Sequence, residues 1–420
     1  MKNFLLTLIA LVSFICATAQ NPQVLLDSAK RELARAKTPK EKVDKLYAIS
    51  TMLMNTDMNE AEVYSKRMIE AADESRDRRL MIQALRRNSD RYAAVSFNKE
   101  YIAKATDYAN RALTLARSYQ MEDEVAESLL RLAYINKENS QLDRALEFAT
   151  QAFSISSSLK NKDTLLCSNY LTLADIYQAK KETVPALRNY LNGLRVAEES
   201  KIPVLLRACY SNLSGFYSSI KQYDKAVDYT LRAMDILPLA DTASKGKYQR
   251  PRDLYDIGNI YTAKKDNEMA IMYYERSIRS ADTAQYPPLK VPGYYGLLSQ
   301  YTKGDQPQKA LDYLQKDTAM KQFFKNFNMA HSIDNAYANV YSRLGKYDSA
   351  EIYFKRAEPA FQNNTPPYRI SFYRTVADHY KRWGKTAYQL IYLLKADTLA
   401  RQIGDIEWLR ITSKELDTAY

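Results

Sequence analysis

The chain has 420 residues, a net charge of +12, only 10 Gly and 13 Pro, and 34 Tyr. That length exceeds one ordinary hydrophobic core, and scarce Gly and Pro beside abundant Ala, Leu, Lys, Arg and Glu exclude a turn-rich sheet protein in favour of helices. The charge is moderate for this length and lacks the focused basic stripe that nucleic acid demands, so no nucleic-acid partner is expected. Only SRDRRLMIQALRRNSDR (Ser75 to Arg91) approaches such a stripe, and solvated helix faces account for its arginines.

The first element is a leader. MKNFLLTLIALVSFICATAQ carries a Lys, an apolar run from Phe4 to Ile15, and then Ala17-Thr18-Ala19. This is the secretory signal pattern, so residues 1–19 are expected to be cleaved after Ala19 and the protein to be exported to the periplasm. Phe14 and Ile15 before Cys16 argue against lipid attachment there. Beyond the leader no run of about 18 apolar residues occurs, so no transmembrane span is predicted in the mature chain. Two cysteines remain, Cys167 and Cys209, on successive helix pairs. Backbones of packed helices lie about 10 Å apart, beyond the reach of a disulfide, and buried free thiols are expected.

TPKEK opens the helical region, with Thr38, Pro39 and Glu41 set as a capping box. Alanines then recur at Ala61, Ala105, Ala145, Ala186, Ala226, Ala270, Ala310 and Ala350, with Gln389 in the following slot, at steps of 39–44 residues. Twelve residues earlier stands a mostly small residue: Ala93, Ala133, Ala174, Ser214, Gly258, Ala338 or Ala377, with Ile49 and Leu298 departing from the rule. Nine earlier is Tyr177, Tyr217, Tyr261, Tyr301, Tyr341 or Tyr380; seven later comes Ala112, Ala152, Gly193, Ala233, Ser277, Ala357 or Ala396. Such offsets fall on helix faces, whereas strands would alternate. Two antiparallel helices approach closely only where side chains are small, so these positions mark crossings, and each Tyr is expected to fill the gap between neighbouring hairpins. LGKYDSA, IKQYDKA and TKGDQPQKA supply the turns between the paired helices. Three regions follow: an N-terminal array over 20–237, a connector over 238–252, and a C-terminal array over 253–420 ending at ELDTAY in a lone or truncated helix.

These residues resemble the tetratricopeptide repeat (TPR) family, in a form similar to exported Bacteroidetes-type TPR proteins and to sensor-kinase or regulator ectodomains. The resemblance implies an all-α, right-handed α-solenoid of about nine hairpins whose first helices line a concave groove. On that geometry Ser168, Asp175, Ser211, Arg252, Tyr255, Asn259, Asn335, Asn339, Arg374 and Asp378 are expected to face the groove. Asn and Arg there can hold a peptide backbone or carboxylate through paired hydrogen bonds. Some members grip a C-terminal carboxylate with a Lys/Asn/Asn/Lys/Arg clamp. Asn212 and Arg252 match two of its elements, but Leu171 and Asp175 stand where a Lys and an Asn belong, so a general polar groove is expected.

No catalytic, cofactor or metal motif appears. The only histidines, His331 and His379, have no HExxH or CxxC company and read as surface or turn-packing residues. Carboxylates, as in DEVAESLLR (Asp123 to Arg131), read as outward faces beside Lys and Arg. Asp-Ser/Thr-small aliphatic occurs eight times, from Asp27 to Thr418, and resembles the O-glycan acceptor of exported Bacteroidetes proteins; Thr242 and Thr283, in longer connectors, are the preferred acceptors. Helix capping by Asp, Ser and Thr explains the same pattern. The expectation is a non-enzymatic, exported scaffold that binds a peptide segment or protein partner without a cofactor, or alternatively a periplasmic sensor ectodomain. The sequence leaves the oligomeric state open.

Overall fold

The structure, a computed structural model, describes residues 22–419 apart from 55–56, 95–98, 161, 285–286, 305, 327–329 and 363–364. The expected leader, with Cys16 and the cleavage point after Ala19, lies outside the described residues, as does Tyr420. The described chain forms 22 α-helices and no strand. It divides into two compact units, one through Ile260 and one from Tyr261.

In unit 1, α1 (Pro22–Ala34) precedes five hairpins. They are α2 (Pro39–Leu53) with α3 (Met58–Glu74), α4 (Arg78–Ala93) with α5 (Lys99–Ser118), α6 (Glu122–Glu138) with α7 (Leu142–Ser158), α8 (Asp163–Ala179) with α9 (Thr183–Ser200), and α10 (Pro203–Ser219) with α11 (Tyr223–Asp235). The short α12 (Leu237–Ala240) and a run of turns occupy the expected connector, and the division between units falls inside α13 (Arg250–Lys264). Each helix packs on its hairpin partner, and the first helices touch one another in succession from α2 to α10, which makes this unit an α-solenoid.

Local chemistry explains the boundaries. Thr38 Oγ1 accepts the Glu41 amide at 3.1 Å while the Glu41 carboxylate accepts the Thr38 amide at 3.2 Å, closing the capping box. The anchors Ala61, Ala105, Ala145, Ala186 and Ala226 are wholly buried, as the crossing argument requires. Three first-helix serines reach across these crossings: Ser50, Ser89 and Ser214 donate to the carbonyls of Ala61, Ala105 and Ala226 at 2.9, 2.8 and 2.8 Å. A small hydroxyl therefore does not hold the helices apart, and its hydrogen bond is satisfied where it is buried.

Unit 2 contains α14 (Asn267–Ala284), a 3-10 turn (Pro287–Leu289), α15 (Lys290–Lys303), α16 (Pro307–Lys316), α17 (Thr318–Asn326), α18 (Ala330–Arg343) and α19 (Tyr347–Phe361). The hairpin of α20 (Pro366–Arg382) and α21 (Thr386–Ile403) follows, and then α22 (Ile406–Asp417). Ala310, Ala338, Ala350, Ala357 and Ala396 are again wholly buried. The irregular hairpin begun by Leu298 has a broken second helix. α16 stops at Lys316, and the Asp317 carboxylate accepts the Met320 amide at 2.9 Å to start α17, which sinks Met320 and Phe324 into the core.

The repeating tyrosines have a ring partner beyond the one expected. They stack inside their own hairpin on a second Tyr three residues after the anchor. Tyr217 lies on Tyr229 at 5.4 Å, Tyr261 on Tyr273 at 5.5 Å, Tyr341 on Tyr353 at 5.6 Å and Tyr380 on Tyr392 at 5.8 Å between centroids. Twelve residues separate each pair. The expected reach between hairpins is kept as well: the Tyr380 hydroxyl donates to Glu351 of the preceding hairpin at 2.9 Å, and Tyr341 and Tyr353 pack in one cluster with Tyr373 and Tyr380 of the next.

Candidate functional site

The first helices of unit 1 carry a lattice of ion pairs between successive repeats. Asp44 on α2 meets Arg87 on α4 at 2.6 Å, and Asp90 on α4 pairs with Arg131 on α6. Glu124 on α6 is 2% exposed, accepts from Arg79 at 2.7 Å and forms an ion pair with Arg86 at 2.8 Å, with Glu127 also pairing with Arg86. Asp123 joins Arg79 and Lys162, each at 2.9 Å, carrying the lattice from α4 across α6 to the start of α8. Farther along, Arg207 on α10 meets Asp253 on α13 at 3.0 Å.

This corrects two expectations. Of the arginines of Ser75 to Arg91, Arg76, Arg78 and Arg79 are exposed as expected, but Arg87 and Arg91 are buried, and the Arg86 side chain is only 15% exposed. DEVAESLLR is likewise turned inward, with Glu124 at the centre of the lattice. Burial lowers the Arg86 guanidinium and raises the Asp90 carboxyl from their ordinary values, opposed in each case by the opposite charges around them. Burial also works against the Asp123 carboxylate, but Arg79 and Lys162 prevail and hold it far below the usual range. One signal was available in the sequence. The partners lie about one repeat apart, Asp90 to Arg131 and Arg86 to Glu127 alike.

The residues expected to face a groove fall into three groups. In unit 1, Ser168 is buried and donates to the Thr164 carbonyl at 2.6 Å, and Asn212 donates to the Ala208 carbonyl at 2.9 Å, so both bond to their own helix. Asp175 accepts the Tyr190 hydroxyl of its own hairpin at 2.5 Å, and burial raises its carboxyl from the ordinary value. Ser211 is exposed. On α13, Arg252 and Asn259 are exposed, Tyr255 is half-buried, and Arg252 lies 3.8 Å from Asp256.

In unit 2, α15, α18 and α20 touch in succession and form one face. Arg374 on α20 is engaged by Glu415 on α22 through two hydrogen bonds, that from Nε at 2.7 Å. Asp378 accepts from Arg382 at 3.0 Å and lies 3.8 Å from Arg343 on α18. Asn335 and Asn339, one turn apart on α18, are half-buried. The Asn335 Oδ1 atom is buried without a hydrogen-bond partner among the described residues.

The histidines divide. His331 is half-buried with its ring edge-on to Phe361 at 5.0 Å. His379 is a core residue and not a surface one: it is 1% exposed, packed on Phe354, Tyr380 and Trp383, with Nδ1 3.1 Å from Ser342 Oγ. Cys167 and Cys209 are buried free thiols as expected, but the distance argument behind that expectation fails. Their Sγ atoms lie 3.5 Å apart, because the side chains lean toward each other from α8 and α10. Thr242 and Thr283 are both exposed. Among the described residues no helix is long and apolar enough to cross a membrane.

Residues 254–283 and 335–358 match the tetratricopeptide repeat; the first stretch runs over most of α13 and α14, and the second lies in the hairpin of α18 with α19. No curated protein matches the chain in sequence. A solved Signal Transduction ATPase with Numerous Domains from Pyrococcus horikoshii, with a tetratricopeptide repeat sensor, is 15% identical at a TM-score of 0.54 and covers 90% of this chain. The chain spans 56% of that protein's length, and the likeness is one of fold. Aspartyl phosphate phosphatase F from Bacillus subtilis aligns over 89% of this chain and 95% of its own at 16% identity and a TM-score of 0.49. A Rap protein complexed with Competence and Sporulation Factor aligns over 91% and 100% at 12% identity and 0.46.

Proposed function

We propose that this chain is an exported, non-catalytic scaffold that holds a peptide segment or protein partner on the first-helix face of unit 2, around Asn335 and Asn339. One observation carries the reading. On the corresponding face of unit 1, buried charges are ion-paired with charges of the next repeat. Asn169, whose Oδ1 has no hydrogen-bond partner among the described residues, is held through its amide by Ser156. Asn335 likewise keeps a buried acceptor without a hydrogen-bond partner among the described residues, but on a face with a second carboxamide one turn on. A buried acceptor without a donor costs about 1–3 kcal/mol, and an incoming backbone amide recovers it. Asn339, one turn on, adds a second carboxamide that can both donate to and accept from an extended peptide. Arg374 and Asp378 frame the face but already hold intramolecular partners, so they orient more than they bind.

The test is selection of a random peptide display library on the full chain, followed by affinity measurement for the enriched peptides. Asn335→Ala with Asn339→Ala is expected to weaken them at least tenfold, as loss of hydrogen bonds in a desolvated site implies. Equal affinity for the variant, or a library without enrichment, overturns the reading. The sensor alternative uses the same binding step and adds an output; the tetratricopeptide array of the Pyrococcus protein is called a sensor. Export is checked separately by placing residues 1–19 before a reporter that is active only outside the cytoplasm. Activity is expected, and an inactive, uncleaved fusion removes the location.

A further inference from the structure

We propose that Cys167 and Cys209 are a disulfide-forming pair that cross-links two successive first helices, α8 and α10, within unit 1. Both thiols are buried, at 1% and 0% exposure, and their sulfurs face one another at 3.5 Å. A disulfide has its sulfurs about 2 Å apart, so an approach of about 1.5 Å separates the two thiols from a bond. The surroundings are built for close approach. The Cys167 thiol donates to the Gly193 carbonyl of α9 at 3.4 Å, and a Cβ at Gly193 would come to 3.4 Å from Leu171 and Tyr170. Among the described residues no group of three or more His, Cys, Asp or Glu could make the pair a metal site.

The reaction is thiol–disulfide exchange with a disulfide-bearing oxidant. One cysteine thiolate attacks an oxidant sulfur, forms a mixed disulfide and releases the other oxidant sulfur as a thiol. The second cysteine loses its proton and attacks the mixed disulfide at the chain's own sulfur, releasing the remaining oxidant sulfur as a second thiol. Both cysteines are oxidised to one S–S bond, one oxidant disulfide is reduced to two thiols, and the cysteine protons end on the leaving sulfurs. The Cys167 thiol against it, and then burial, push the Cys209 thiol above its ordinary value. Exchange therefore runs during folding or through opening of the hairpin, and the finished bond is shielded from reductants. An exported chain meets the oxidising conditions that favour it. The bond ties each of these hairpins to the next and limits how far one rotates on the other.

The experiment equilibrates the full chain with oxidised and reduced glutathione, alkylates it in denaturant, and maps its peptides without reduction. The expected result is one intramolecular link joining the peptides that hold Cys167 and Cys209, with neither residue alkylated. Oxidation should also raise the thermal midpoint of unit 1 by about 5–10 °C, and Cys167→Ser should abolish both the link and the shift. Two alkylated thiols in a chain that stayed folded during oxidation, or glutathione on either cysteine in place of the internal bond, overturns the proposal.

Discussion

His379 shows what a single residue can report about unit 2. It is buried on α20 against aromatic rings, and burial pushes its pKa down to about 4, with Glu351 and Asp378 pulling upward and Lys385 downward. The native state therefore holds a neutral imidazole, whereas an unfolded histidine takes up a proton near pH 6.5. Between those two values the unfolded chain binds more protons, so this residue's contribution is complete above about pH 6.5 and is lost as the pH falls toward 4. The denaturation midpoint of unit 2, followed by tryptophan fluorescence, should fall over that window. His379→Gln should flatten the fall; an unchanged slope in the variant would assign the acid sensitivity to carboxylates instead. Sequence alone left this histidine as a surface or turn-packing residue, because a lone His without ligand company looks the same exposed or buried; its packing on Tyr347 and Trp383 favours the second. Its ring is enclosed by side chains from α19 and from its own helix, and neither contact follows from a local motif.

At the scale of the element, the repeat is one turn copied many times. Ser140, Lys181, Lys221, Lys265, Gly345 and Gly384 all hold a positive φ five residues before an anchor, and the next amide bonds back to the carbonyl of Asn136, Tyr177, Tyr217, Tyr261, Tyr341 or Tyr380. This is a Schellman ending for these six first helices. Glycine fits it without cost, while the lysines pay the left-handed penalty of about 1 kcal/mol. A Cβ built on Gly345 meets nothing within 4 Å, so Gly345→Ala should lose about 1 kcal/mol of unit 2 stability from backbone strain alone. Measured denaturation midpoints of the two chains check this, and an unchanged value rejects the strain account. The same regularity explains what could be read from sequence. Helix pairing, the crossing alanines and the turns were legible because each depends on one short offset. The tyrosine partner and the ion lattice were not: a ring or guanidinium at a given position reaches partners that the period alone does not choose between. Arg86, Arg87 and Asp90 look like any solvated helix face until Glu124, Glu127, Arg131 and Asp44 are seen opposite them. The cysteines failed for the reverse reason, since a spacing between helix axes ignores side chains that lean together.

At the scale of the whole molecule, each unit encloses its own core. The clusters around Leu46 and Leu129 lie within unit 1, and those around Tyr294 and Phe372 lie within unit 2. Stability in a repeat array is a sum of local terms, so a defect in one unit should weaken that unit first. The chain supplies a probe for the distinction: its two tryptophans, Trp383 and Trp408, both belong to unit 2, while far-ultraviolet circular dichroism reports helices everywhere. Glu124→Gln leaves Arg86 with a weakened set of partners in a buried site, a loss of about 3 kcal/mol by the cost of breaking a buried ion pair. In denaturant this variant should shift the dichroism transition to lower concentration and leave the tryptophan transition in place. Gly345→Ala should move the tryptophan transition and only the matching part of the dichroism. Should Glu124→Gln move both signals together, the two cores unfold as one cooperative block, and the account of independent local terms fails.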